Sequence, residues 1–137
     1  MATDSHLKLL LDTHVWLWSL LDPARVPRRI ARALVAARTE VWISPVTTWE
    51  TLTLCRKGRL SLEPDPRTWI AAAREAWPVH DAPLTHDVAL ATDLVKLPHR
   101  DPADRFLAAT ARAYGLTLVT ADENLLQGSG FQVLSAR

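Results

Sequence analysis

Apolar positions along this chain come in short runs separated by charged or turn-forming breaks. Residues 7–11 are apolar apart from Lys8 and have a strand's length. Residues 14–21 continue the apolar pattern as a helix, which Asp22-Pro23 stops. Residues 27–38 place Ile30, Leu34 and Val35 at helical spacing among arginines, and residues 40–43 read as a second short strand. Ser44-Pro45 pairs an N-cap with proline at the first helical position, predicting a helix to Lys57 that Gly58 ends. Asp65-Pro66 repeats that start for a helix through Ala76. Residues 78–82 follow as a short strand, and residues 85–94 as a helix carrying Val88, Leu90, Ala91 and Leu94. Asp101-Pro102 gives a third start, for a helix to Tyr114 stopped by Gly115. Residues 116–119 form a strand, a short helix follows Thr120, and residues 131–134 form the last strand.

Strands alternating with helices predict an α/β fold with a parallel sheet covered on both faces. Ligands of such sheets collect beyond the carboxyl ends of the strands. Asp12 stands there, where the first strand ends and the first helix begins. In "LKLLLDTHVWLW" it divides one long apolar run into two elements. An unpaired buried carboxylate is costly, so Asp12 must cap the helix or hold a cation.

A length of 137 residues suits one domain, 1–137, and an apolar fraction of 48% excludes a disordered tail. Lys plus Arg is 16 against 15 for Asp plus Glu, so net charge makes no argument for nucleic acid; local patches must carry it. Arg25, Arg28, Arg29 and Arg32 fall close together, as do Arg56, Lys57 and Arg59. Cys55 is the single cysteine, which excludes an internal disulfide and fits a reducing compartment. No basic region leads into an unbroken apolar one near the start, and Lys8, Asp12 and His14 interrupt residues 7–21. That run is also shorter than the roughly 20 residues a membrane span needs. A cytoplasmic protein without membrane attachment is expected. Six tryptophans are many for this length. Core packing accounts for most of them, with Trp16 and Trp18 the candidates for a surface that a partner covers.

Three further acids occupy places comparable to Asp12. Glu50 lies in the second turn of its helix, too deep to cap it, and Leu54 occupies the position where a basic i+4 partner would stand. Asp104 follows Asp101, which is the natural cap before Pro102. Asp122 follows the fourth strand; Thr120 and Glu123 already have the spacing of a capping box, which leaves Asp122 no capping role. Four carboxylates on one rim repel one another, and burial adds to the cost. A divalent cation with a preference for hard oxygen ligands, Mg²⁺ or Mn²⁺, resolves this. Zinc fits poorly, with one cysteine and no His-x-x-x-His pair.

At these residues the chain resembles the PIN-domain proteins, specifically the VapC-type toxin ribonucleases of type II toxin–antitoxin pairs. The stretches that carry the resemblance are "LLLDTHVWLW", "ISPVTTWE", "HRDPADRFLAATARAYGLTLVTAD" and "LQGSGFQVL". The resemblance implies a PIN-like three-layer sandwich: a central, mostly parallel sheet of four to five strands flanked by helices. It implies an Mg²⁺- or Mn²⁺-dependent endoribonuclease with Asp12, Glu50, Asp104 and Asp122 as its acidic positions. It also implies a homodimer, and inhibition by a VapB-type antitoxin in a toxin–antitoxin hetero-oligomer.

On this reading Asp12, Asp104 and Asp122 hold the metal, directly or through water, and Glu50 completes the site. Cleavage would leave 5′-phosphate and 3′-hydroxyl ends on single-stranded or looped RNA. Thr13, Asp101, Thr120 and Arg105 are the expected supporting or substrate-binding residues. Trp16, Trp18, Arg28 and Arg32 are the expected antitoxin contacts. Three rival readings carry weaker support. His14 and His99 could cleave RNA without metal through the ribose 2′-hydroxyl, but that leaves the four acids unexplained. A catalytically weak RNA- or protein-binding module of the same fold does not need all four acids. An Asp-nucleophile phosphatase typically has a second Asp two residues after the first, where this chain has His14.

Overall fold

The computed structural model describes residues 6–137. Five strands, β1 (Leu7–Leu11), β2 (Thr39–Ile43), β3 (His80–Asp81), β4 (Thr117–Thr120) and β5 (Gln132–Ser135), form one sheet in the order β3-β2-β1-β4-β5. All four pairings are parallel. The helices among the described residues are α1 (Thr13–Leu21), α2 (Arg28–Val35), α3 (Pro45–Arg56), α4 (Pro66–Ala76), α5 (His86–Ala91), α6 (Pro102–Tyr114) and α7 (Glu123–Leu126).

β1 is the middle strand, which is why its sequence is a nearly unbroken leucine run. Leu9, Leu10 and Leu11 are all fully buried. Alternation sends Leu9 and Leu11 to one face, with Trp16, Ile30, Ile70 and Val119, and Leu10 to the other, with Leu107, Ala108, Leu118 and Leu125. Each face therefore has its own core.

All three cap-plus-proline signals start helices: Ser44, Asp65 and Asp101 are N-caps, each followed by proline. Gly115 closes α6 with φ 67°, letting the Leu116 amide reach the Ala111 carbonyl at 2.8 Å. Two helices are shorter than their pattern. α2 stops at Val35 because residues 36–38 are exposed and bury nothing that would hold another turn. The helix expected over residues 85–94 tightens after Ala91 into a 3₁₀ turn, Thr92–Leu94. Arg105 holds that turn by donating to the Thr92 and Val95 carbonyls. Among the described residues no helix is long and apolar enough to cross a membrane.

The strand order reverses direction between β1 and β4. Chain leaving β1 towards β2 goes to one side and chain leaving β4 towards β5 goes to the other, which opens a crevice at their carboxyl ends.

Candidate active site

Asp12 leaves β1 at that crevice and caps α1. Its Oδ1 accepts from the Thr13 amide at 2.7 Å and its Oδ2 from the Thr120 hydroxyl at 2.7 Å. The capping and site-building roles posed as alternatives are therefore both open to one carboxylate, because each uses a different part of it. Burial pushes the Asp12 pKa up; the Thr120 hydrogen bond opposes this, and the charge of Asp122 adds to it.

Thr120 ends β4 and is fully buried. Its hydroxyl oxygen also accepts from the Asp122 amide at 3.0 Å, so one threonine ties the two acids together. Asp122 itself is the N-cap of α7, with Oδ1 accepting from the Asn124 amide at 2.8 Å. This corrects the capping box expected between Thr120 and Glu123. Thr120 is still part of the sheet, its carbonyl accepting from the Ala136 amide, so the helix cannot begin before Asp122.

Glu50 projects from the second turn of α3. Its Oε1 accepts from the Thr13 hydroxyl at 2.5 Å, and Thr13 Oγ1 lies 3.2 Å from Thr47 Oγ1. An ionised carboxylate only accepts, so the Thr13 proton goes to Glu50 and the Thr47 hydroxyl is left to donate to Thr13. Burial raises the Glu50 pKa; the Thr13 bond offsets part of this, and the charges of Asp12, Asp101 and Asp122 add to it.

Asp104, in the first turn of α6, is 7% exposed. Among the described residues no donor reaches its carboxylate; the cap of α6 is Asp101, whose Oδ1 accepts from the Ala103 and Asp104 amides. Burial first, then the charges of Asp101, Asp122, Asp12 and Glu50, push the Asp104 pKa up to about 7. Five carboxylates thus act on one another.

The ion pairs among the described residues lie elsewhere, at His6–Glu40, Arg74–Asp81 and Arg137–Glu123, so no arginine or lysine neutralises the rim. The donor set, all hard oxygen with uncompensated charge, fits a divalent cation such as Mg²⁺, which keeps several of its own waters. No three His, Cys, Asp or Glu side chains among the described residues close around a single point.

A cleft of about 200 Å³ opens on this rim, lined by Asp12, His14, Trp18, Ala121 and Asp122. Thr13 bonds Asp12 through its amide and Glu50 through its hydroxyl, Thr120 bonds Asp12 and Asp122, and Asp101 caps α6. Arg105 was expected beside the rim, but its Nη1 donates to the Thr92 and Val95 carbonyls, 2.9 and 3.2 Å away. Trp16 is not a contact surface; it is 1% exposed and packs edge-on against Trp69 with ring centroids 5.9 Å apart. Arg28 and Arg32 are exposed on α2. Of the two histidines considered for metal-free chemistry, His14 lines the cleft, whereas His99 is an exposed loop residue that does not. One pairing was not read from the sequence. Arg25 lies 4.5 Å from the centroid of the Trp18 ring, brought there by a chain reversal that no local pattern announces.

The PIN domain family model matches residues 9–129. Ribonuclease VapC22 of Mycobacterium tuberculosis (strain ATCC 25618 / H37Rv) is 32% identical over 120 residues, covering 85% of this chain and 88% of that protein. The structure of VapBC2 from Rickettsia felis, bound to a DNA fragment from its promoter, superposes with a TM-score of 0.71. It is 13% identical, over 96% of this chain and 100% of that one. DNA-bound VapBC from Salmonella typhimurium gives a TM-score of 0.67 at 19% identity, over 96% and 99% of the two chains. These likenesses to solved structures show the fold.

Proposed function

The chain belongs to the PIN domain family, and from that premise we propose that it is a VapC-type toxin: a metal-dependent endoribonuclease held inactive by a VapB-type antitoxin. The observation that carries the reading is the mutual repulsion of Asp12, Glu50, Asp104 and Asp122, which no arginine or lysine ion pair among the described residues relieves.

Asp12, Asp104 and Asp122 are the residues that would hold Mg²⁺ or Mn²⁺, and Glu50 completes the group. When bound, the cation supplies a polarised phosphoryl oxygen and an activated water for in-line attack. The chain's own residues prepare that chemistry. Thr120 fixes one oxygen of Asp12 and the backbone of Asp122, which sets the spacing of the two acids. Thr13 fixes Oε1 of Glu50 and leaves the other oxygen available to orient water. Asp104 has no donor of its own and is the carboxylate most in need of a cation.

The antitoxin reading has its own support. An apolar groove of about 340 Å³ runs between the end of α1 and α2, with Leu20, Val26, Leu34, Val35 and Trp77 in its lining. The exposed Arg28 and Arg32 stand on the same α2 helix. An amphipathic segment with aliphatic anchors and acidic flanks suits that combination. We assign homodimerisation on family membership alone.

Cleavage of cellular RNA followed by mapping of the ends tests the activity. Cuts that need Mg²⁺ or Mn²⁺, leave 5′-phosphates and vanish in Asp12→Asn support it. Cuts that persist in EDTA and leave cyclic phosphates refute it.

A further inference from the structure

We propose that Trp18 and Arg25 form a nucleotide subsite of the active site. The indole stacks one base of the RNA beside the scissile phosphate, and the Arg25 guanidinium meets the adjoining backbone phosphate. This rests on the ribonuclease reading above.

Helix α1 builds the subsite outward from its cap. Asp12 is the N-cap, His14 is in the first turn, and Trp18 is one turn beyond His14 on the same side. The two rings lie 6.2 Å apart. Trp18, His14, Asp12 and Asp122 line one cleft, so an aromatic plane and two of the acids that would hold the cation share a single opening. At about 200 Å³ the cleft is smaller than the roughly 300 Å³ at which sites for drug-sized ligands begin, which suits one planar group rather than a whole ligand.

Charge points the same way. Asp22-Pro23 stops α1, and the 3₁₀ turn Pro23–Arg25 brings the guanidinium over the indole at 4.5 Å. Arg25 is exposed, and the ion pairs among the described residues do not include it. Its charge is therefore available beside a rim that is otherwise acidic, where an RNA backbone needs a cation to approach. Stacking on an aromatic plane with a neighbouring arginine is a recurrent way of holding single-stranded nucleic acid. The apolar groove assigned to the antitoxin begins at the neighbouring Ser19 and Leu20 and does not include Trp18.

The test begins with the mapped cut. Oligoribonucleotides spanning it are made with one abasic nucleotide walked through the flanking positions, and kcat/KM is measured for the parent, Trp18→Leu and Trp18→Phe. The parent should lose about 5- to 100-fold at one position. Trp18→Leu should show that loss on intact RNA and no further loss on the abasic substrate, and Trp18→Phe should recover most of it. If Trp18→Leu does not fold, the exposed Arg25→Gln replaces it. Its cleavage should weaken and the salt dependence of RNA binding should fall by about one charge. An abasic penalty that is the same in parent and Trp18→Leu, or a salt slope unchanged in Arg25→Gln, overturns the subsite while the nuclease stands. Full cleavage with antitoxin affinity lost in Trp18→Leu also overturns it and makes the indole an antitoxin contact. A parent protein with no metal-dependent cut to map overturns the ribonuclease reading, and the subsite with it.

Discussion

The Thr120 hydroxyl donates to Asp12 Oδ2 at 2.7 Å and joins the carboxyl ends of β4 and β1 where the sheet changes direction. Both residues are buried, so removing the donor leaves a buried carboxylate oxygen unpaired. Thr120→Val is expected to cost about 1–3 kcal/mol in chemical denaturation without metal. Thr120→Ser keeps the hydroxyl and should retain most of that stability. Equal stability of the valine variant would show that the bond does not hold the site.

Thr13 plays the matching part for Glu50. Thr13→Val removes the 2.5 Å hydrogen bond while keeping the shape of the side chain. Turnover should slow by roughly a factor of ten or more, the worth of one hydrogen bond to a charged group, with KM little changed. Thr13→Ser should stay near the parent. Steady-state cleavage of the mapped RNA separates these outcomes.

Asp104 makes stability depend on pH in a definite direction. Its folded pKa, about 7, lies above the ordinary carboxylate value of 3.8. Between those values the unfolded chain has lost the proton and the folded chain still holds it. Rising pH therefore favours unfolding over that window, and the loss is complete above the folded value. In EDTA, Asp104→Asn should be more stable than the parent at pH 8, and that advantage should disappear near pH 4. Denaturation curves at the two pH values check this, and an advantage independent of pH would contradict it.

The sequence marked the acids and missed part of their setting, for reasons that can be stated. Asp12 interrupts an apolar run and Glu50 lies too deep in its helix to cap it, so both stood out locally, whereas Asp104 was marked by the family resemblance and Asp122 by its place after a strand. The three cap-plus-proline starts are local chemistry and were equally legible. Three errors came from tertiary contacts. The spacing of Thr120 and Glu123 suggested a capping box, but the pairing of β4 with β5 keeps Thr120 in the sheet and gives the cap to Asp122. Arg105 looked ready for phosphate, but the carbonyls at Thr92 and Val95 take it. Trp16 and Trp18 differ by two positions, which on a helix turns one wholly into the core and leaves the other half-buried, packed against that core and lining the cleft.

The groove between α1 and α2 gives a separable prediction. Val35 is 83% exposed, so Val35→Glu should leave melting of the free protein within a degree or so of the parent. It should weaken antitoxin binding by about 10-fold or more by placing a charge in an apolar contact. Trp16→Ala is the contrasting change and should cost about 3–5 kcal/mol from the core. Calorimetric titration with the antitoxin and thermal melting distinguish the two. Unchanged antitoxin affinity in Val35→Glu would remove the groove from that interface.

The most direct test of the account is calorimetric titration of the metal-free protein with Mn²⁺ near pH 6.5, repeated in buffers of different ionisation enthalpy. The account predicts saturable binding that releases protons, because Asp104 must give up the proton it holds. Asp104→Asn should bind roughly 10-fold more weakly or worse and release fewer protons. Absence of saturable binding, or equal affinity and equal proton release in Asp104→Asn, would contradict the assignment of these carboxylates to a cation.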